Sequence, residues 1–280
     1  MDTDAGMETS VGASEEDAPP AVARWEKLFF AAVGLSALWI GFWGYFLPEI
    51  QKSIPFSIPA LHARFLGAMY LSAFVLLLGG CLYNRWSDIT VVPVMTAVWT
   101  TGIFVVSLLH TDLFDFSTIQ TWIWFVAYGV YPAIALWVAW AHRNEILAAG
   151  RGGNVPAWVR AWLLGQGILL ALLAAALFVA PSTMAGVWPW PIPDELAQLY
   201  SAPFLSFGIG SLLLGRMGLW SRMRTGAITM AVFAVGVLTA SFIHRSLFSS
   251  SELPDRLWFG LFTLGAAALV ALSIRSFRSE

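Results

Sequence analysis

The chain has 280 residues, 58% of them hydrophobic and only 11% charged, with a formal net charge of -2 and a mean hydropathy of +0.72. That is more apolar surface than one soluble core of this length can hide, so lipid has to be the solvent for most of it, and no basic excess is present to bind nucleic acid. The lone cysteine, Cys81, excludes an internal disulfide, a CxxC redox pair and a cysteine-ligated zinc site.

Residues 1–23 are rich in acids, Gly, Ser and Thr, carry an Ala-Pro-Pro run ending at Pro20, and lack the basic start and early apolar stretch of a signal peptide. They are expected to form a disordered cytoplasmic tail. Beyond them, eight stretches reach the roughly 20 apolar residues needed to cross a hydrocarbon core about 30 Å thick. They are 28–47, 65–83, 91–109, 119–140, 161–180, 196–215, 225–243 and 257–274, and none contains Asp, Glu, Lys or Arg. Assigning Lys and Arg to alternate sides places eleven with the termini and four opposite, Lys52, Arg64, Arg245 and Arg256. The positive-inside bias therefore predicts a multi-pass protein of the plasma (inner) membrane with both termini cytoplasmic.

The chain also resembles itself at a spacing of 134. Advancing Ala97, Val98, Gly102, Ser107, His110, Leu113, Phe114, Trp124 and Phe125 by 134 lands on Ala231, Val232, Gly236, Ser241, His244, Leu247, Phe248, Trp258 and Phe259. The same shift carries Pro55-Phe56-Ser57-Ile58-Pro59 onto Pro189-Trp190-Pro191-Ile192-Pro193, and Leu76-Leu77-Leu78-Gly79 matches Leu212-Leu213-Leu214-Gly215 after a slip of two. Leucine matches in apolar helices carry little information, but a matched histidine, a Trp-Phe pair and a Pro-aromatic loop in one register carry more. The expected fold is thus an all-α membrane protein of eight transmembrane helices, two tandem four-helix repeats in the same orientation. Four is an even number of crossings, so both copies face the same way about an axis along the membrane normal. The repeats span 24–143 and 157–280, joined by a cytoplasmic linker over 144–156 with Ala-Gly-Arg-Gly-Gly-Asn at its centre.

Each half, with a proline-ending first helix and a second helix beginning Ala63-Arg64-Phe65-Leu66-Gly67-Ala68, resembles the small DoxX-like four-helix membrane modules. Set against Leu199-Tyr200-Ser201-Ala202-Pro203-Phe204, the second copy loses both the Arg and the Gly. The resemblance implies the plan of each repeat; the family is functionally diffuse and implies no activity.

Polar chemistry collects at the outer end. His62, His110 and His244 fall near the outer ends of helices two, three and seven, and His142 near the inner end of helix four. If helices three and seven meet at the pseudo-twofold axis, His110 and His244 face one another, the arrangement that six-coordinate b-type haem requires, and they equally suit a metal or a quinone head. The plainer reading is a histidine at the membrane boundary, hydrogen-bonded to a loop carbonyl or water. Asp112 is placed to accept an N–H from His110, while Arg245 follows His244, so a site here would be acidic on one half and basic on the other; both also read as ordinary solvated loop charges. Arg64 either snorkels to the headgroups or holds an anionic group. The loops 48–59 and 181–193, rich in Pro and aromatics, are expected to cap the bundle.

The apolar spans lack the carboxylate that ion-coupled transport commonly uses, and no nucleophile motif accompanies the outer cluster, which leans away from an enzyme. Three functions remain open: a binding or accessory protein holding an apolar ligand (lipid, quinone or pigment) near the outer face, with His62, Arg64, His110, Asp112, His244 and Arg245 as candidate contacts; a haem b electron carrier using His110 and His244; and a small-molecule permease.

Overall fold

A computed structural model describes residues 21–148, 155–218 and 220–278. Most of the expected acidic tail, and the Gly-rich centre of the linker with Arg151, lie outside the described residues. Eight helices are long and apolar enough to cross a membrane: α1 (Arg24–Tyr45), α2 (Ala60–Leu82), α3 (Val91–Leu109, preceded by the turn Trp86–Ile89), α4 (Ile119–Ala141), α5 (Ala157–Val179), α6 (Asp194–Arg216), α7 (Trp220–Ile243) and α8 (Leu253–Arg278). Among the described residues the regular structure is otherwise short helical turns and one isolated bridge, Ala21 to Arg85. In lipid every backbone N–H and C=O must be satisfied within the segment, which a helix alone does for a single span. Hydroxyls inside the spans follow the same rule: Thr96, Thr100, Ser107, Thr229 and Ser241 each donate to the carbonyl four residues earlier.

The helices run past the apolar stretches. α1 takes in Arg24, Glu26 and Lys27, α2 takes in Arg64, α6 Asp194 and Glu195, and α8 Asp255 and Arg256. Hydropathy marks where hydrocarbon ends, whereas the hydrogen-bonded ladder continues into the interface, where long charged side chains reach water. Proline fixes three of the starts, standing immediately before α2 (Pro59), α5 (Pro156) and α6 (Pro193).

α2, α3, α6 and α7 form an inner set, with 56% (α7) to 72% (α6) of their apolar windows buried, against 22% to 44% for α1, α4, α5 and α8. α1 lies along α2, α4 along α3, α5 along α6 and α8 along α7, while the inner helices join the halves crosswise, α2 on α7 and α3 on α6. The expectation that helices three and seven meet and bring His110 and His244 face to face is corrected by this packing: each lies chiefly on the second helix of the opposite half.

Small residues permit the crosswise approach. A Cβ added at Gly102 of α3 would fall 2.5 Å from the Cβ of Ala202 in α6, and one at Gly236 of α7 would fall 3.0 Å from the Cβ of Ala68 in α2. Without a hydrophobic drive between helices in lipid, such close approaches and interhelical hydrogen bonds supply most of the association. These two contacts involve positions 134 apart in both members. So do the bonds from Trp124 Nε1 to Ser107 Oγ (2.9 Å) and from Trp258 Nε1 to Ser241 Oγ (3.0 Å), and the ring pairs Phe56–Phe114 (5.8 Å) and Trp190–Phe248 (5.7 Å).

Candidate functional site

His62, Arg64, His110 and His244 all lie at the end of the bundle that carries the two Pro-rich loops, but they belong to separate contacts. His62, 4% exposed, has Nε2 at 3.0 Å from the Pro191 carbonyl and Nδ1 at 2.9 Å from the Tyr200 hydroxyl. A carbonyl accepts only, so Nε2 carries the proton, Nδ1 accepts from Tyr200, and the ring is neutral. Its role is mechanical: it ties the second loop across the first half. In that loop Trp188 and Trp190 pack against Phe65, Tyr200 and Trp258, so it is a packed cap rather than a loose cover.

Arg64 donates from Nη1 to Nε2 of His244 at 2.8 Å. Burial first, and the Arg64 charge second, hold His244 below the usual imidazole pKa of 6.5. His110 makes the corresponding contact with Gln198: its Nε2–H donates to Oε1, while the amide nitrogen of Gln198 donates to the Phe178 carbonyl at 2.9 Å. Gln198 stands 134 residues after Arg64. The shift of 136 that set Arg64 opposite Tyr200 is therefore replaced at this level by 134, and Gln198 is the partner that sequence reasoning missed; applying the loop register to Arg64 finds it.

Asp112 and Arg245 are both exposed, and no ion pair joins them among the described residues. Gln198, rather than Asp112, takes the imidazole N–H of His110. The haem arrangement does not fit these residues, because Nε2 of each candidate axial histidine is engaged by an α2 or α6 side chain. Among the described residues no cluster of three or more His, Cys, Asp or Glu is placed to hold a metal ion.

Two cavities accompany these contacts. A pocket of about 340 Å³ lies beneath the first loop, lined by Phe56, Phe114, His110, Glu195 and Leu199 among others. The larger, about 430 Å³, lies within the first half between α1, α2, α3 and α4. α1 and α4 are held together not by close backbones but by long side chains, Ser36 to Tyr131 at 3.0 Å with the ring pairs Phe29–Tyr131 and Trp25–Trp137 beyond. Above that strut the helices leave a space walled by Val33, Ala37, Ile40, Ala73, Leu77, Met95 and Trp99. Leu35, Trp39 and Ile123 line the cavity and are more than half exposed on the outside of the bundle, so its mouth opens sideways between α1 and α4. Deep in it the Tyr70 and Tyr128 hydroxyls meet at 2.5 Å.

At the opposite end, Glu26 in the first turn of α1 is 3% exposed and accepts from His142 Nε2 (2.9 Å) and from the Ala23 N–H (2.8 Å), with His142 stacked on Trp86 at 3.5 Å. Hydropathy treats Glu26 as part of the tail, so only the fold shows this pair. In comparison with known proteins, the chain matches no family model, no curated protein and no solved structure.

Proposed function

We propose that this chain is a plasma-membrane binding or accessory protein, two tandem four-helix units in one orientation with both termini cytoplasmic, that holds an apolar ligand of the lipid, quinone or pigment class. The cavity of about 430 Å³ in the first half carries this reading. Its size lies in the range of small-molecule sites, roughly 300–1,000 Å³, and its walls are mostly apolar with a few convergent polar groups, the usual make-up of such sites. A sideways mouth at hydrocarbon depth admits a solute from the bilayer more readily than from water. The cavity replaces the outer histidine cluster as the centre of the proposal, because His62, Arg64, His110 and His244 are occupied in joining the halves.

The duplication rests on the equivalences at 134: crosswise Gly–Ala contacts, Trp–Ser bonds, loop ring pairs, and Arg64–His244 against Gln198–His110. The plan of each half is the one the DoxX-like resemblance implies. The test is mass spectrometry of organic extracts from detergent-purified protein, wild type against Ala127→Phe, which places a ring in the cavity from α4. A co-purifying apolar molecule at near-stoichiometric amount, lost in Ala127→Phe, is expected; extracts holding only bulk lipid in unchanged amount would sink the reading.

A further inference from the structure

We infer that the ligand of the first-half cavity carries a carbonyl group, which accepts a hydrogen bond from the Tyr70–Tyr128 pair while the ligand's hydrocarbon tail leaves through the mouth between α1 and α4. This rests on the proposed ligand-holding role and adds the chemistry of the head group.

The argument is a count of hydrogens. Two phenol hydroxyls in mutual contact hold two O–H donors and use one between them, so the accepting tyrosine keeps a donor to spend elsewhere. No other described group bonds either hydroxyl. Tyr70 is 3% and Tyr128 6% exposed, and both line the cavity, so the spare hydrogen lies in low dielectric, where an unmade bond is costly. The other hydroxyls that line the cavity are already spent, Ser53 on the Ile50 carbonyl among them. Thr96 and Thr100 donate to carbonyls of their own helix, and Ser36 donates to Ala32 O while accepting from Tyr131. An acceptor without a proton of its own complements this wall, and on a lipid-soluble molecule the strongest such group is a carbonyl, an ether oxygen accepting more weakly.

The second half gives an independent comparison. Positions 134 after Tyr70, Trp99, Trp124 and Tyr128 are Phe204, Phe233, Trp258 and Phe262. The aromatic frame is the same: Tyr70–Trp99 at 5.9 Å against Phe204–Phe233 at 6.0 Å, and Trp124–Tyr128 at 4.4 Å against Trp258–Phe262 at 4.3 Å. There both hydroxyls are absent, and Trp188 from the loop packs on Phe204 and Trp258. One copy keeps an open space with a donor; its counterpart lacks the donor and packs against Trp188, where the first copy has Ile54. The counterpart also shows that the frame folds with phenylalanine at both places.

Two sources share the carbonyl chemistry, the ester of a glycerolipid and the ring ketone of a quinone, and matched probes separate them. Binding to the full chain in detergent is read by isothermal titration calorimetry with diolein against its dioleyl ether, and with decylbenzoquinone against decylbenzene. One carbonyl probe should bind about three- to tenfold tighter than its partner, the worth of one neutral hydrogen bond, and the pair that shows the preference names the source. Tyr70→Phe and Tyr128→Phe singly each leave one O–H free and should keep a preference, whereas the double variant should erase it while still binding the carbonyl-free probe. Equal affinities within both pairs, or a preference unchanged in the double variant, would overturn the carbonyl assignment. Failure of all four probes to bind wild type, with no extract difference for Ala127→Phe, would instead refute the ligand-holding role itself.

Discussion

Arg64 at the start of α2 donates to Nε2 of His244 just after α7, so a cation is held against an imidazole that must be neutral to accept it. Protonating His244 would remove the acceptor and set two positive charges side by side. The pKa in the folded chain lies below 6.5 through burial and then through Arg64, so as pH falls the unfolded chain takes up the proton first. The stabilising contribution is whole above the unfolded value, about 6.5, and is lost as pH falls through the depressed folded value. The melting temperature in detergent is expected to drop between about pH 7 and pH 5. Arg64→Gln, which copies the Gln198–His110 contact, should flatten that drop, and an identical profile in the variant would count against the contact.

The matching contact has no cation. Gln198→Ala removes both the acceptor for His110 and the donor to Phe178. Interhelical hydrogen bonds in membranes are worth about 0.6–1.5 kcal/mol each. A loss of about 1–2 kcal/mol in reversible unfolding is expected for the pair; no measurable loss would show that water replaces the amide at this depth.

Glycine substitutions should divide by position. A Cβ at Gly67 would lie 2.4 Å from the Tyr45 backbone nitrogen and 2.8 Å from the Gly44 carbonyl carbon, both backbone atoms of α1 that cannot move aside alone. Gly67→Val is expected to separate α1 from α2 and abolish the folded peak on size exclusion. Gly260, with nothing within 4 Å of its would-be Cβ, should accept alanine and gain about 0.5–1 kcal/mol of helix propensity. Equal behaviour of the two variants would contradict the packing.

Glu26 is expected to matter far more than its place beside the acidic tail suggests. Glu26→Ala leaves the partly buried His142 N–H and the Ala23 N–H without their acceptor, costing up to about 1–3 kcal/mol in total. The measurement is thermal unfolding of Glu26→Ala beside the exposed-acid control Glu252→Ala, which should be within about 0.5 kcal/mol of wild type.

The proposed orientation has its own check. With Cys81 replaced by serine, a cysteine at Gln51 should react with a membrane-impermeant maleimide in intact cells, and one at Arg85 only after the membrane is opened. The reverse pattern would invert the topology.

Much of the fold was legible because lipid imposes it. A run of about 20 apolar residues has one stable way across a bilayer, so all eight spans could be placed from hydropathy, with ends in error where Arg64, Asp194 or Asp255 continue the helix into the interface. The histidines stand out because His110 and His244 match at a spacing of 134, but a haem between them requires helices three and seven to meet. Packing is decided by which surfaces approach closest, and Gly102 against Ala202 and Gly236 against Ala68 pair unlike helices instead.

Composition and hydropathy thus determined by themselves that the chain is a membrane protein of eight helices, since each crossing is a local matter of length and polarity, and the matching residues at a spacing of 134 are a property of the letters alone. Only the tertiary structure decided that Arg64 and Gln198 occupy the two imidazoles, that Glu26 is buried against His142, and that Tyr70 and Tyr128 meet in one cavity. Those facts join residues from 58 to 180 positions apart, and in an apolar bundle such partners are chosen by the fit of side-chain shapes between helices, which no pattern along a single helix records.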